Sequence, residues 1–168
     1  WLENGTWQGA SSPAGSGCAT AIAEDSAGRV WVGVDSSLWR YDPAPASWTE
    51  LAAPEPPVSN MRFGFVDSLV VAPDGSVWPT LVLCGGASCY GSCVLYHVRD
   101  GEWTQIGDVG EYDFGYWGPI FDATGVPWIA WEGGVYRVKG DVPSLVSPLQ
   151  ARAGAVDGSG RLWLVAPH

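Results

Sequence analysis

The chain consists of short apolar runs separated by clusters of Gly, Asp, Ser and Pro. No stretch of ten residues free of Gly and Pro places apolar side chains at helical spacing, so the pattern predicts strands and tight turns. Four segments repeat one order, an Asp, one or two Gly and then a Trp: Asp25 to Trp31, Asp74 to Trp78, Asp122 to Trp128 and Asp157 to Trp163. Each follows a small apolar run, at Ala19 to Ala23, Leu69 to Ala72, Pro119 to Phe121 and Gly154 to Val156. The order predicts a strand, a turn whose conformations Asp and Gly supply, and a second strand opened by Trp. Alternating apolar and polar residues at Leu38-Trp39-Arg40-Tyr41, Leu95-Tyr96-His97-Val98 and Val135-Tyr136-Arg137-Val138 predict a half-buried third strand. Turn residues then lead to a fourth, at Trp48 to Leu51, Trp103 to Ile106 or Ser144 to Val146.

A four-strand unit whose tryptophans recur after 47, 50 and 35 residues predicts an all-β fold, a β-propeller with one blade per unit. Three whole blades fall at about 19–52, 68–107 and 119–147 in a single domain. The ends form halves of a fourth. Residues 154–168 supply its first two strands; residues 1–9, whose Asn4-Gly5 turn and Trp7 align with Asp100-Gly101 and Trp103, supply the last two. Pairing the ends would close a ring and protect its edges. The same halves would equally serve in an eight-bladed ring shared by two chains, or in a segment of a longer propeller. Asn4-Gly5-Thr6 is also a glycosylation sequon, but Asn-Gly is the favoured hairpin turn and is read as that alone.

The units resemble the two-component-regulator propeller repeat, whose pattern is best kept at Asp25, Gly28, Trp31-Val32-Gly33 and Leu38-Trp39-Arg40-Tyr41-Asp42. The resemblance weakens in the second unit, where Cys residues interrupt a hairpin. It implies a propeller used for extracytoplasmic sensing. The units are more distantly similar to those of streptogramin lyases, which have seven blades and use a His with Mg²⁺, and to the Asp-box of sialidases. This chain lacks the histidine supply of the first and the arginine triad of the second.

Charge narrows the partners. The net charge is −10 and the 8 Lys and Arg are scattered, so the basic footprint of a nucleic-acid binder is missing. The longest apolar runs fall far short of the roughly 20 residues needed to cross a bilayer. Four Cys, with Cys84, Cys89 and Cys93 in one Gly-rich hairpin, predict two disulfides and a secreted or periplasmic setting. Cys84–Cys93, bracketing the hairpin loop, and Cys18–Cys89, on one face, are the expected pairs. Their spacing, without a neighbouring His, is a poor match for zinc.

Most of the candidate chemistry dissolves into the repeat. His97 fills the position of Arg40 and Arg137 in the sister units, which predicts a solvent-facing strand residue without catalysis, and His168 is the last residue. The turn aspartates Asp25, Asp74, Asp122 and Asp157 are read as one repeated position that bonds its own turn. One carboxylate per turn is too few for Ca²⁺, and no metal or cofactor is expected. Without a placed base the usual nucleophilic arrangements fail, and Glu111 and Asp113 are all a histidine-free enzyme would have. Trp117 and Trp131 repeat nowhere. They fall on the face where the loops from strand four to strand one and from strand two to strand three emerge, together with Arg62, Phe63, Phe65 and Glu111. Tyr112, Asp113, Tyr116 and Glu132 belong there too. Aromatics beside carboxylates suit a sugar ring or a protein partner. The predicted function is therefore a non-catalytic recognition or sensing module that binds a glycan or protein through this face. The alternative is an assembly module whose split blade is completed between chains.

Overall fold

A computed structural model describes residues 2–3, 6–7, 13, 17–85, 88–111, 118–131, 133–151 and 153–166, with side chains outside 2–7, 88–91 and 108–111. The described chain is all β. Blade one is the sheet β3 (Ala19–Glu24), β4 (Val30–Val34), β5 (Ser37–Asp42) and β6 (Ser47–Leu51). Blade two is β7 (Met61–Val71), β8 (Val77–Gly85), β9 (Ser88–Arg99) and β10 (Glu102–Glu111). Blade three is β11 (Ile120–Phe121), β12 (Pro127–Trp131), β13 (Gly134–Lys139) and β14 (Val142–Ser147). Every neighbouring pair is antiparallel and sequential, so each blade is a meander.

Two shorter hairpins complete the set. β1 (Leu2–Glu3) pairs with β2 (Thr6–Trp7), and β15 (Ala153–Val156) pairs with β16 (Leu162–Val165), as separate two-stranded sheets. The register Leu2↔Trp7 and Glu3↔Thr6 repeats Val98↔Trp103 and Arg99↔Glu102 at the β9–β10 turn. The short hairpin thus has the form of a strand-three to strand-four corner. Among the described residues no ladder joins it to β16.

The blades pack face to face because strand residues alternate between the two sides. On β9, Val94, Tyr96 and Val98 face blade one, in clusters with Phe63, Leu81, Trp31 and Leu38, while Leu95 faces blade three beside Ile106, Ile129 and Val138. The second-strand tryptophans seal successive gaps: Trp31 and Trp78 are buried, whereas Trp163 is 58% exposed. Close approach also demands glycine. A Cβ on Gly33 would lie 2.6 Å from Val66 Cβ, where β4 crosses β7.

Candidate functional site

Three turns share one hydrogen-bond pattern. Asp25, Asp122 and Asp157 each donate their backbone N–H to the carbonyl four residues on and accept the N–H of the Gly three residues on. Their side chains do the rest. Oδ1 of Asp122 accepts from Thr124 N, Thr124 Oγ1 and Val126 N, and Oδ2 from Trp128 Nε1 at 3.0 Å. Asp25 binds Trp31 Nε1 at 3.0 Å and Arg29 Nε at 2.6 Å, and Asp157 repeats this with Trp163 and Arg161. Bonds to the charged form hold a carboxyl below its usual range. At Asp122 the Thr124 and Trp128 side chains dominate, and at Asp157 those of Ser159 and Trp163. At Asp25 burial pushes the pKa up, but the bonds from Trp31, Arg29 and Ala27 outweigh it and leave it lowered.

Blade two breaks the pattern. Its turn bonds run from Ala72 N to Ser76 O and from Gly75 N to Ala72 O. Ala72, six residues before Trp78, therefore occupies the aspartate position, and Asp74 stands where Ala27, Thr124 and Ser159 stand in the other turns. The expected fourfold equivalence of Asp74 is corrected accordingly. Without that carboxylate, Trp78 Nε1 turns to Ser76 Oγ at 3.3 Å, and Ser76 in turn donates to Asp74. Asp74 pairs with Arg99 across the β7–β8 and β9–β10 turns.

His97 is the second departure. In blades one and three the matching residue is an Arg whose guanidinium lies over the second-strand Trp, Arg40 over Trp31 at 5.7 Å and Arg137 over Trp128 at 5.6 Å. His97 keeps the stacking, 4.4 Å from Trp78 with 20° between the rings, but it is buried rather than solvent-facing. Its Nδ1 lies 2.6 Å from Oδ1 of Asp141, in the β13–β14 turn of blade three. An ionised carboxylate only accepts, so Nδ1 carries the proton of that bond. The other ring nitrogen, Nε2, is buried and has no partner among the described residues. Such a group costs about 1–3 kcal/mol when left unmade. Around these residues lies a cleft of about 220 Å³ between blades two and three, lined by Ala72, Asp74, Trp78, His97, Arg99, Phe121, Val138 and Asp141 among others.

The opposite, loop-rich face is shaped by the lengthening of blade two. Its strands run 11, 9, 12 and 10 residues, against 6, 5, 6 and 5 in blade one. Since the Asp-turn ends of the two hairpins correspond, the surplus of 4 to 6 residues stands on the other face, a wall of roughly 13–20 Å at about 3.3 Å per residue. Arg62 is exposed on it. Phe63 is not available there: it is buried against Tyr96, edge to face at 6.0 Å. Trp131 is half-buried between blades, edge to face with Tyr136 at 5.5 Å and so close to Gly107 that a Cβ there would meet its ring at 2.3 Å. Glu111 ends β10, and its side chain, with Tyr112, Asp113, Tyr116, Trp117 and Glu132, lies outside the described residues.

The cysteine pairs are corrected. Cys18 is an exposed and Cys93 a buried free thiol, so neither Cys84–Cys93 nor Cys18–Cys89 is formed. Cys84 is disulfide-bonded, to neither of these two. The ladder explains the first miss: Val82, not Cys84, stands opposite Cys93, and a two-residue offset separates Cα atoms beyond the reach of a disulfide. Burial, with the charge of Asp67 adding to it, pushes the Cys93 thiol up to about 12. Among the described residues no cluster of three His, Cys, Asp or Glu could hold a metal ion. No helix there is long and apolar enough to cross a membrane.

Residues 14–36 match the two-component regulator propeller family model. No curated protein sequence matches the chain significantly. Among solved structures it is similar to a luciferin-regenerating enzyme (16% identity, TM-score 0.59, 90% of this chain and 56% of that one). It is also similar to regucalcin, a calcium-binding protein of Agrobacterium tumefaciens C58 (16%, 0.55, 89% and 53%). A third is the extracellular domain assigned to a one-component system of B. thetaiotaomicron (18%, 0.55, 88% and 20%). The chain thus spans little more than half of the first two and a fifth of the third. At identities this low the likeness shows the architecture alone, and an enzyme, a calcium-binding protein and the extracellular domain of a one-component system share it. The chain is a β-propeller that carries a two-component-regulator propeller repeat.

Proposed function

We propose that this propeller is a non-catalytic, extracytoplasmic recognition or sensing module that binds a glycan or protein through its loop-rich face. The supporting observation is the wall of blade two. Its extra residues add nothing to the turn end of the blade, yet they raise Arg62 and the end of β10 above the neighbouring blades. Long hairpins set on a rigid scaffold are where binding residues concentrate. Trp117, Tyr112, Asp113, Tyr116 and Glu132, from the adjoining loops, would supply flat rings and acceptors. Phe63 and Trp131 serve as packing instead. The test is binding to a glycan array and to candidate surface proteins, comparing the parent with Arg62→Glu and Trp117→Ala. Loss of binding with an unchanged circular dichroism spectrum supports the face; retention in both variants refutes it.

A second reading is favoured by the two half-sheets. Among the described residues β16 pairs only with β15, Trp163 and Val165 are exposed, and the β1–β2 corner matches the missing half of a blade in register. A second copy or a following segment supplying that corner would make an assembly module. Light scattering tests the two-chain version, which a strict monomer at high concentration overturns.

A further inference from the structure

In the gap between blades two and three, the residues that fill the equivalent gap between blades one and two are replaced by smaller ones. Asp25 becomes Ala72, and Arg40, stacked on Trp31, becomes His97, stacked on Trp78. Two side chains that would occupy the space are thus missing together, and the cleft of about 220 Å³ stands there. Its lining is mixed: blade three contributes the apolar Phe121, Pro127 and Val138 and, from the β13–β14 turn, Asp141, while Arg99 reaches it from the end of β9 in blade two. We propose that this cleft is a binding site for a neutral, hydroxyl-bearing ligand about the size of one sugar ring, on the face opposite the loop-rich one.

Charge and size select this class. Arg99 is paired with Asp74, and the Asp141 carboxylate accepts from His97, so each charge in the lining is already met within the protein. What remains is a set of donors and acceptors, the guanidinium of Arg99 and the carboxylate of Asp141, beside the apolar Phe121, Pro127 and Val138. A pyranose has that division, with hydroxyls around its edge and C–H groups on its face. The volume lies below the roughly 300–1,000 Å³ of drug-sized pockets, which limits the ligand to about one ring. His97 is a positioning residue. Nine-tenths buried against Trp78, it holds Asp141 through Nδ1 and so fixes the carboxylate across the blade gap.

The experiment is calorimetric titration with the methyl glycosides of glucose, galactose, mannose and N-acetylglucosamine, run alongside the nitrogen-15 signal of the Trp78 indole N–H. At least one glycoside is expected to bind with a Kd of about 1 mM and to shift that signal. Arg99→Ala and Asp141→Asn should each weaken it by about tenfold or more. Ala72→Asp/His97→Arg, which restores the blade-one pattern and fills the cleft, should abolish binding while keeping the melting temperature of the parent. Arg99→Ala, at an exposed position, decides the matter should the double variant fail to fold. The inference is overturned if no glycoside binds at concentrations well above millimolar, or if binding survives either Arg99→Ala or the refilled cleft.

Discussion

Asp25 and Asp157 share four bonds in different surroundings, Asp157 adding one from Ser159 Oγ, which makes them a comparison of what burial adds. Each Oδ1 accepts backbone N–H groups two and four residues on, and each Oδ2 takes an Arg Nε and a Trp Nε1. Around Asp25 the Trp is 5% exposed, and around Asp157 it is 58% exposed. In Asp25→Ala the Trp31 N–H loses its acceptor where water cannot replace it, and the Arg29 guanidinium loses its counter-ion. An orphaned buried donor costs about 1–3 kcal/mol, whereas the Arg29 guanidinium, a third exposed, is resolvated by water and adds little. Asp25→Ala should therefore lose about 1–3 kcal/mol. At a urea m-value of about 2 kcal/mol/M this lowers the midpoint by roughly 0.5–1.5 M. Asp157→Ala exposes its donors to water and should shift the midpoint far less. Urea titrations at pH 7, followed by tryptophan fluorescence, measure both. Equal shifts would show that the turn bonds act without regard to burial and would refute the reasoning.

The close approach of β4 and β7 gives Gly33→Ala a sharp expectation: its Cβ meets Val66 Cβ at 2.6 Å, neither atom can rotate away, and overpacking of about 1–3 kcal/mol should lower the melting temperature by roughly 2–10 °C, whereas an unchanged melt would refute the contact. In acid, Asp25, Asp122 and Asp157, whose folded pKa values lie below the unfolded value of about 3.9, contribute stability that is complete above that value and is lost as pH falls through the folded pKa. Urea midpoints should agree at pH 7 and 5 and drop at pH 3; a midpoint that rises at pH 3 would reverse the sign. In the native protein iodoacetamide should label Cys18 and spare Cys93, whose thiol is buried and pushed up to about 12, and peptide mapping that found Cys93 modified first would contradict its placement.

The sequence made the fold legible through Trp31, Trp78, Trp128 and Trp163, because one large side chain must recur wherever a blade faces the next. It misled where identity and position part company. Asp74 has the right residue type, yet the turn is registered by its backbone bonds, and six residues back from Trp78 stands Ala72. The spacing was in view, four residues from Asp74 to Trp78 against six in every other unit, and it outranked the matching letter. His97 shows the same error from the other side. Sharing a slot with arginines that stack on tryptophan means sharing a place at the blade interface, and the alternation from Leu95 already put it on the face turned to blade three. The cysteine links lay beyond reach for a different reason: register shifts along β8, β9 and β10 move opposite residues out of step, and no spacing rule reveals where a bulge falls. The repeat therefore removes candidates safely only after it has been aligned on its hydrogen bonds. Once it is, the positions that break it, Ala72 and His97, turn out to lie side by side on the face of blade two that opens onto a single gap, toward blade three.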